Sequence, residues 1–225
     1  MGVEHRSGFT LVELLVAMAV IGILVSMLVP ATSRVMEQGR RTKGANAVAQ
    51  IAKAYLQFSS MNGEGTTINP EEVDTVGEWA VILAKAGLLN DVRMYLFPDD
   101  TMATKITSKI ICKPDGSVAD SNFTNAITSI CVAAGVPAHA DPSITPIAWT
   151  RGLGADGKWD TTGIYGNKGG YIGFLDGHVE WFSDLGTGPS DGKLVNSGTG
   201  TPTNNIAEAL GGGVPIPTLR AMAID

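Results

Sequence analysis

Histidine and cysteine, the side chains that most often carry out chemistry, are few in this chain of 225 residues. The chain has three histidines and two cysteines: His5, His139, His178, Cys112 and Cys131. A zinc site made from both cysteines with His139 and His178 would have suitable ligand atoms but none of the usual ligand spacings. The sequence also lacks the HExxH, GxSxG and Walker A patterns. We therefore predict that the protein is not an enzyme.

Two carboxylates, Asp156 and Asp160, lie four residues apart in a segment that contains a glycine. Oxygen-rich loops of this kind can bind calcium, although this one lacks the alternating ligand pattern of an EF-hand. A solvated turn is the preferred interpretation of the segment. We predict no cofactor, with Asp156 and Asp160 as the candidate ligands should calcium bind.

The most unusual acidic side chain is Glu13, the one charged residue in the apolar run of residues 9–29. A helix of that length spans roughly 30 Å, the thickness of a bilayer's hydrocarbon core. A carboxylate there costs on the order of 2–4 kcal/mol, so such a residue is expected to have a function and a partner. Cleavage of the chain before Phe9 would provide a positively charged partner for Glu13. The new α-amine would lie one helical turn from Glu13 in the same chain or would face it from a neighbouring chain.

The run GFTLVELL at residues 8–15 resembles the N-terminus of type IV prepilins and type II secretion pseudopilins. The resemblance implies that a prepilin peptidase cleaves between Gly8 and Phe9 and methylates the amine of Phe9. Glu13 would then help to set the register of each subunit against its neighbour. The implied partners are copies of this chain and related pilin-like subunits, the prepilin peptidase, and the inner-membrane assembly machinery.

The same resemblance implies an α+β, pilin-like fold and a place in the membrane. A long N-terminal helix with a hydrophobic first half would pack on a small antiparallel β-sheet head. The subunit would cross the inner membrane once, with its head in the periplasm, and then enter a periplasmic or cell-surface filament. The preferred function is a structural subunit of a type II secretion-like pseudopilus, and the alternative is a subunit of a type IV pilus for adhesion, motility or DNA uptake.

Charge offers evidence on location and on partners. Four basic residues follow the apolar run and only Arg6 precedes it: Arg34, Arg40, Arg41 and Lys43. Positive-inside counting would place the C-terminal part in the cytoplasm, whereas the more specific motif implies the opposite. The net charge of −6, without a basic tail, argues against nucleic acid as the main partner.

Two further readings of the N-terminus remain open. The head could be a membrane-anchored or exported domain that itself binds a ligand or catalyses a reaction. An ordinary signal peptide could also end at Ala31, although its apolar region would exceed the usual length of about 7–15 residues and would contain Glu13.

The elements that must position these residues follow from composition and periodicity. The predicted order is leader 1–8, transmembrane and assembly helix 9–30, amphipathic continuation 31–60, globular α+β head 61–185, and an irregular Gly/Thr/Pro-rich tail 186–225 with one possible helical turn at 206–210. Pro30 is expected to kink or break the long helix. One apolar face of its continuation is formed by Val48, Ile51, Ala52 and Tyr55.

A second helix is predicted in the head. Thr75 and Glu78 fit a capping box at its start, and Gly87 is a plausible left-handed cap at its end. Its buried stripe would be Trp79, Ile82, Leu83 and Ala86. The pattern favours a helix of the core.

Short apolar runs after this helix predict strands at residues 94–97, 109–113 and 128–133. Cys112 and Cys131 lie inside the last two runs. Outside the cytoplasm these cysteines could pair and close a loop worth about 3 kcal/mol, whereas in the cytosol they would stay reduced.

The strongest local signal is Asp-Gly at 176–177, which predicts a hairpin of residues 171–175 and 178–182 with a two-residue turn. In that register His178 and Glu180 face water, and four side chains share the core face: Ile172, Phe174, Val179 and Trp181. The stretch GGYIGFLDGHVEWF resembles the FxDGHV segment of pilin-like proteins best known from planctomycete and verrucomicrobial bacteria. Those proteins often have a histidine ten residues before the aspartate, where this chain has Gly166.

Overall fold

The computed structural model describes residues 9–61, 67–136, 140–187 and 190–211. The chain divides into two compact units, Met1–Lys43 and Gly44–Asp225. The first element that the structure describes is a helix, α1 (Leu11–Met61), and a head with a small antiparallel sheet follows it in the chain. This architecture confirms the predicted α+β, pilin-like fold class.

The helix α1 is continuous through Pro30, so the break expected there does not occur. A proline removes a single donor from the hydrogen-bond ladder, and the turns on either side continue the helix. In the second unit the predicted apolar face is buried, with Val48, Ile51 and Ala52 fully covered. The ring of Tyr55 stacks on that of Trp79, with centroids 5.8 Å apart and planes 9° from parallel.

Helix α2 (Val76–Lys85) begins and ends as its sequence predicts. The Thr75 hydroxyl accepts a hydrogen bond from the Glu78 amide at 3.1 Å, and the Glu78 carboxylate accepts one from the Thr75 amide at 3.2 Å. Gly87 has a φ of +76°, which glycine adopts at little cost. The amides of Gly87 and Leu88 donate back into the last turn, which is a Schellman ending.

The buried stripe of α2 is partly as predicted. Trp79 and Leu83 are fully buried, whereas Ile82 and Ala86 are half-buried. The indole Nε1 of Trp79 donates to the carbonyl of Ala133 at 3.0 Å, which joins α2 to the sheet.

The main sheet has four antiparallel strands in the order β1-β2-β3-β4: β1 (Ile130–Val132), β2 (Pro146–Thr150), β3 (Gly170–Phe174) and β4 (Val179–Phe182). The strand β1 lies within the predicted run 128–133, whereas β2 was not predicted. A two-stranded sheet of β5 (Leu194–Val195) and β6 (Pro202–Thr203) follows, with α3 (Ile206–Ala209) at the predicted helical turn. These ordered elements lie in the region predicted as an irregular tail.

The predicted strands at 94–97 and 109–113 are wrong. Residues 92–94 form a 3-10 turn, and Cys112 makes only an isolated bridge to Val118. At residues 109–113 a side chain takes the place of the missing strand partner. Asn90 Oδ1 accepts hydrogen bonds from the amides of Ile111 and Cys112, and Asn90 Nδ2 donates to the Cys112 carbonyl.

The hairpin β3–β4 forms, but the predicted register is wrong by one residue. Ile172 pairs with Glu180 rather than with Trp181. The Phe174 amide donates to the His178 carbonyl and the Gly177 amide to the Phe174 carbonyl, so the loop has three residues. Gly177 has a φ of +89°, as the third residue of such loops requires.

The one-residue shift separates the four predicted core residues. Ile172 and Phe174 are buried as expected, but Val179 and Trp181 lie on the opposite face and are half-buried. His178 and Glu180 are exposed, as predicted.

The second part of α1 packs closely on the sheet because glycines leave space for it. A Cβ added at Gly173 would lie 2.5 Å from Val48 Cγ1. A Cβ added at Gly44 would lie 1.9 Å from the hydroxyl of Tyr165, whose ring contacts those of Tyr171 and Trp181. Small residues at both positions therefore set how near the helix comes to the sheet.

Candidate assembly segment and the other candidate sites

The start of α1 is stabilised by a second capping box. The Thr10 amide and hydroxyl donate to Glu13 Oε2 at 2.9 and 2.7 Å, and the Glu13 amide donates to the Thr10 hydroxyl at 3.3 Å. The pattern T-x-x-E at residues 10–13 is typical of a capping box, and this capping box was not among the predictions from sequence. In the single chain Glu13 is thus held by Thr10. The predicted cleavage position lies partly outside the described residues, because Gly8 does.

The first half of α1 exposes apolar side chains all around its axis. Large hydrophobic residues from Phe9 to Val25 are exposed, and Val12 keeps 68% of its surface accessible. Gly22 has open space about it. A helix that is apolar on every side needs an apolar environment or other helices.

A helix that crosses a bilayer needs about 20 consecutive, mostly apolar residues. Among the described residues, no helix combines the length and the apolar character needed to cross a membrane.

The two cysteines are not joined in this structure, where both thiols are free and buried. Their pairing outside the cytoplasm stays a prediction. Cys131 lies in the centre of β1 opposite Trp149, whereas Cys112 belongs to the loop that Asn90 holds. Burial raises the pKa of the Cys131 thiol to about 12, and it also raises the pKa of the Cys112 thiol. Neither thiol is therefore activated as a nucleophile or metal ligand.

The candidate calcium ligands each bond within their own turn. Asp156 Oδ1 accepts from the Lys158 amide at 3.2 Å, and Asp160 Oδ1 accepts from the Thr162 amide at 2.8 Å. Across the part of the chain that the structure describes, no three His, Cys, Asp or Glu side chains are grouped to hold a metal ion. That the protein has no cofactor, with Asp156 and Asp160 as the candidate ligands should calcium bind, stays a prediction.

The exposed imidazole of His178 is oriented by its neighbours in the hairpin loop. Its Nδ1 lies 2.5 Å from Asp176 Oδ1, and its ring stacks on Phe174 at 4.2 Å. These contacts of His178 with Asp176 and Phe174 hold the hairpin loop in shape. His139, the other histidine of the zinc site considered from the sequence, lies outside the described residues.

A buried ion pair that the sequence did not predict joins distant parts of the head. Arg151 Nη2 lies 2.8 Å from Asp100 Oδ1, and the side chains are 2% and 3% exposed. Arg151 also donates to the Thr128 and Thr162 carbonyls, and Asp100 accepts from the Ser129 hydroxyl. Both charges therefore have several partners, as burial demands.

The environment of Asp100 determines its ionisation. Burial alone would raise the pKa of its carboxyl group, but hydrogen bonds from Arg151 and Ser129 and the positive charge of Arg151 outweigh burial. The pKa consequently lies below its ordinary value. Asp100 stays ionised near neutral pH and acts as a structural anion.

Residues 5–29 match the family described as the prokaryotic N-terminal methylation motif. The chain is also 32% identical over 73 residues to the ComG operon protein 3 homolog of Bacillus licheniformis, an alignment that covers 32% of this chain and 74% of that protein. No solved structure shows significant similarity to the chain. Together with the fold, these matches define the class as type IV pilin-like proteins. The chain belongs to the prepilin and pseudopilin family.

Membership in this family gives the coarse role of the chain. Its members are structural subunits that a prepilin peptidase processes and that assemble with other pilin-like subunits. The motif indicates a subunit that is first anchored in the membrane and then exported.

Proposed function

We propose that the protein is a structural subunit of a type II secretion-like pseudopilus, held in the inner membrane by residues 9–30 until it assembles. The exposed apolar surface of α1 carries this proposal. No side chain of the head is needed for catalysis. The function is the burial of one helix against its neighbours.

Processing prepares that helix for burial. Hydrolysis of the Gly8–Phe9 bond by a prepilin peptidase consumes one water and leaves a carboxylate on Gly8 and an amine on Phe9. An external methyl donor then methylates the amine, which stays cationic. The match of residues 5–29 to the methylation motif supports this step.

Glu13 gives the assembly its register. A carboxylate in an apolar bundle is costly unless a positive partner lies beside it. The amine of Phe9 in a neighbouring copy provides that partner, and it lies opposite Glu13 in a single axial position. A bundle held only by apolar contacts would slide more easily, because such contacts are not directional.

The test is the yield of filaments from cells that produce the complete chain with its assembly machinery. Glu13→Ala should lower the filament yield by about tenfold while the head stays folded, since about 1.4 kcal/mol of contact energy corresponds to that factor. Gln38→Ala, an exposed polar change on the same helix, is the matched control and should assemble normally. Normal assembly of Glu13→Ala would contradict the register role.

The second candidate is a type IV pilus subunit for adhesion, motility or DNA uptake. The similarity to a ComG operon protein 3 homolog keeps this candidate open, because that match supports a pilin-like subunit without singling out a secretion, pilus or competence system. Deletion of the chain from its own host separates the candidates. Loss of secreted proteins supports the pseudopilus, whereas loss of adhesion, motility or transformation with normal secretion supports the pilus.

A further inference from the structure

One asparagine of the head stands in a sequence pattern that the proposed function does not use. The chain has ten asparagines, and only Asn122 is followed at the second position by serine or threonine. The run DSNFT at residues 120–124 contains this pattern, with phenylalanine rather than proline in between. In secreted proteins N-x-[ST] is the acceptor pattern for N-glycosylation and is expected on the surface. Short patterns also arise by chance, so the environment of Asn122 decides whether the side chain is available.

The side chain of Asn122 is available in the folded head. Asn122 is exposed in a single 3-10 turn (Ser121–Phe123), in which Asp120 Oδ1 accepts a hydrogen bond from the Asn122 main-chain amide at 3.0 Å. Among the contacts of the described residues, the carboxamide of Asn122 has no hydrogen bond. Other asparagines hold the fold, since Asn90 takes the place of a strand partner and Asn205 caps α3. A group added to the Asn122 carboxamide would therefore break no hydrogen bond of the head.

The two residues that follow Asn122 are instead held in place. The ring of Phe123 is 1% exposed and meets the ring of Tyr95 edge-on, with centroids 6.2 Å apart. The Thr124 hydroxyl donates to the Ser121 carbonyl at 3.1 Å, and the Thr124 carbonyl accepts from the Thr75 hydroxyl. An enzyme that requires serine or threonine must recognise the hydroxyl that these residues share. It must therefore meet this segment before the turn folds or while the turn is locally open.

We propose that Asn122 is an N-glycosylation site, which a membrane-bound oligosaccharyltransferase modifies as the head emerges from the membrane and before this turn folds. The inference rests on the proposed function in one respect, because the head must reach the outer side of the membrane. The exposed position of Asn122 then accommodates the glycan in the folded head. A bulky hydrophilic group at this position makes the surface of the head more soluble.

The transfer needs one co-reactant, a lipid-linked oligosaccharide diphosphate. The side-chain nitrogen of Asn122 attacks the anomeric carbon of the first sugar. A C–N bond forms, the bond from that carbon to the diphosphate oxygen breaks, and the lipid diphosphate leaves. The nitrogen loses one proton, which the released diphosphate takes up, and no oxidant or reductant is consumed.

The direct test uses the full chain made in cells that contain a prepilin peptidase, an oligosaccharyltransferase and its lipid-linked glycan. Mass spectrometry of the digested protein should find one glycan, on Asn122. Asn122→Gln and Thr124→Val should lose the glycan, whereas Thr124→Ser keeps the hydroxyl and should keep the glycan. Asn125→Gln, a change at an exposed asparagine three residues away, is the matched control and should also keep it.

An amine reagent that does not cross membranes shows in the same cells whether the head is outside. A labelled head without a glycan, in cells whose other secreted proteins are glycosylated, would overturn this inference and leave the proposed function standing. A head that the reagent cannot reach would count against both. A glycan on Asn122 of a chain that forms no filaments would support the site and count against the pseudopilus.

The order of transfer and folding gives an independent result. Folded, unmodified chain from cells without the transferase is incubated with the enzyme and the lipid-linked glycan in detergent. Thr75→Ala removes a hydrogen bond that closes the turn and should speed transfer about fivefold, the factor that one typical hydrogen bond represents. Thr107→Ala changes an exposed threonine and should leave the rate unchanged. Equal rates for the two variants would contradict transfer before folding.

Discussion

The two halves of α1 place the same kinds of side chain in opposite environments. In the first half Val12 is 68% exposed, whereas in the second half Val48 has no exposed surface. The second half buries one apolar face, from Val48 to Tyr55, against the sheet and α2, whereas Leu56 and Met61 are exposed. The first half has apolar residues on every side.

This difference shows that helix formation and helix burial are separate requirements. A continuous helix satisfies its backbone hydrogen bonds along its length, whatever surrounds its side chains. The second half finds its apolar partners within the chain. The first half needs partners from outside, which is the physical basis of assembly.

The largest effect is expected from breaking the ion pair that fixes the head. Arg151→Gln leaves Asp100 buried without its cation, which should destabilise the head by about 3–5 kcal/mol. Denaturant unfolding of the detergent-solubilised chain measures this change. The control Lys158→Gln changes an exposed cation and should stay within about 0.5 kcal/mol. A small effect of Arg151→Gln would contradict the role given to the pair.

Two glycines of α1, five residues apart, should respond in opposite directions. Gly44→Ala places a Cβ 1.9 Å from the Tyr165 hydroxyl and should cost about 1–3 kcal/mol, because two other aromatic rings hold Tyr165 in place. Gly39→Ala meets open space and should stabilise the helix by about 0.5–1 kcal/mol. The same unfolding measurement serves for both variants, and equal shifts would contradict the close packing assigned to Gly44.

A third prediction concerns acid. The folded-state pKa of Asp100 is depressed, so its contribution to stability is complete above the ordinary aspartate pKa and is lost as pH falls toward the depressed value. The free energy of unfolding should therefore fall less steeply with acid in Asp100→Asn than in the native chain, although the variant is less stable at neutral pH. Parallel pH profiles would show that Asp100 is not shifted.

The smallest effect is expected at the start of α1, and it separates two roles of Glu13. Thr10→Ala removes the capping box and should raise hydrogen exchange in the first turn, which corresponds to a loss of about 1 kcal/mol. Thr42→Ala removes a hydroxyl bonded to the Gln38 carbonyl and should leave exchange unchanged. Thr10→Ala should also assemble far better than Glu13→Ala. Equal assembly defects in the two variants would show that Glu13 acts only by capping the helix.

Features of the head that depend on nearby residues could be predicted from sequence. The capping box of α2 and its glycine ending depend on residues a few positions apart, and both are present. The apolar face from Val48 to Tyr55 was also predicted, because helical period alone reveals it.

Features that depend on distant residues could not be predicted. The loop held by Asn90 looks like a strand in sequence, because nothing local shows that a side chain 21 residues away bonds its amides. Asp100 and Arg151 are 51 residues apart. The hairpin register failed for a different reason. Asp-Gly fits both a two-residue turn and the three-residue loop that forms, and the two loops pair the strands in registers that differ by one residue.

The central claim is that the apolar half of α1 is released behind Gly8 so that copies can bundle along it. The most direct test is the N-terminal sequence and intact mass of the mature protein isolated from cells that contain a prepilin peptidase. We expect a chain that begins at Phe9 and carries one N-methyl group. A mature chain that begins at Met1 or at Thr32 would contradict it.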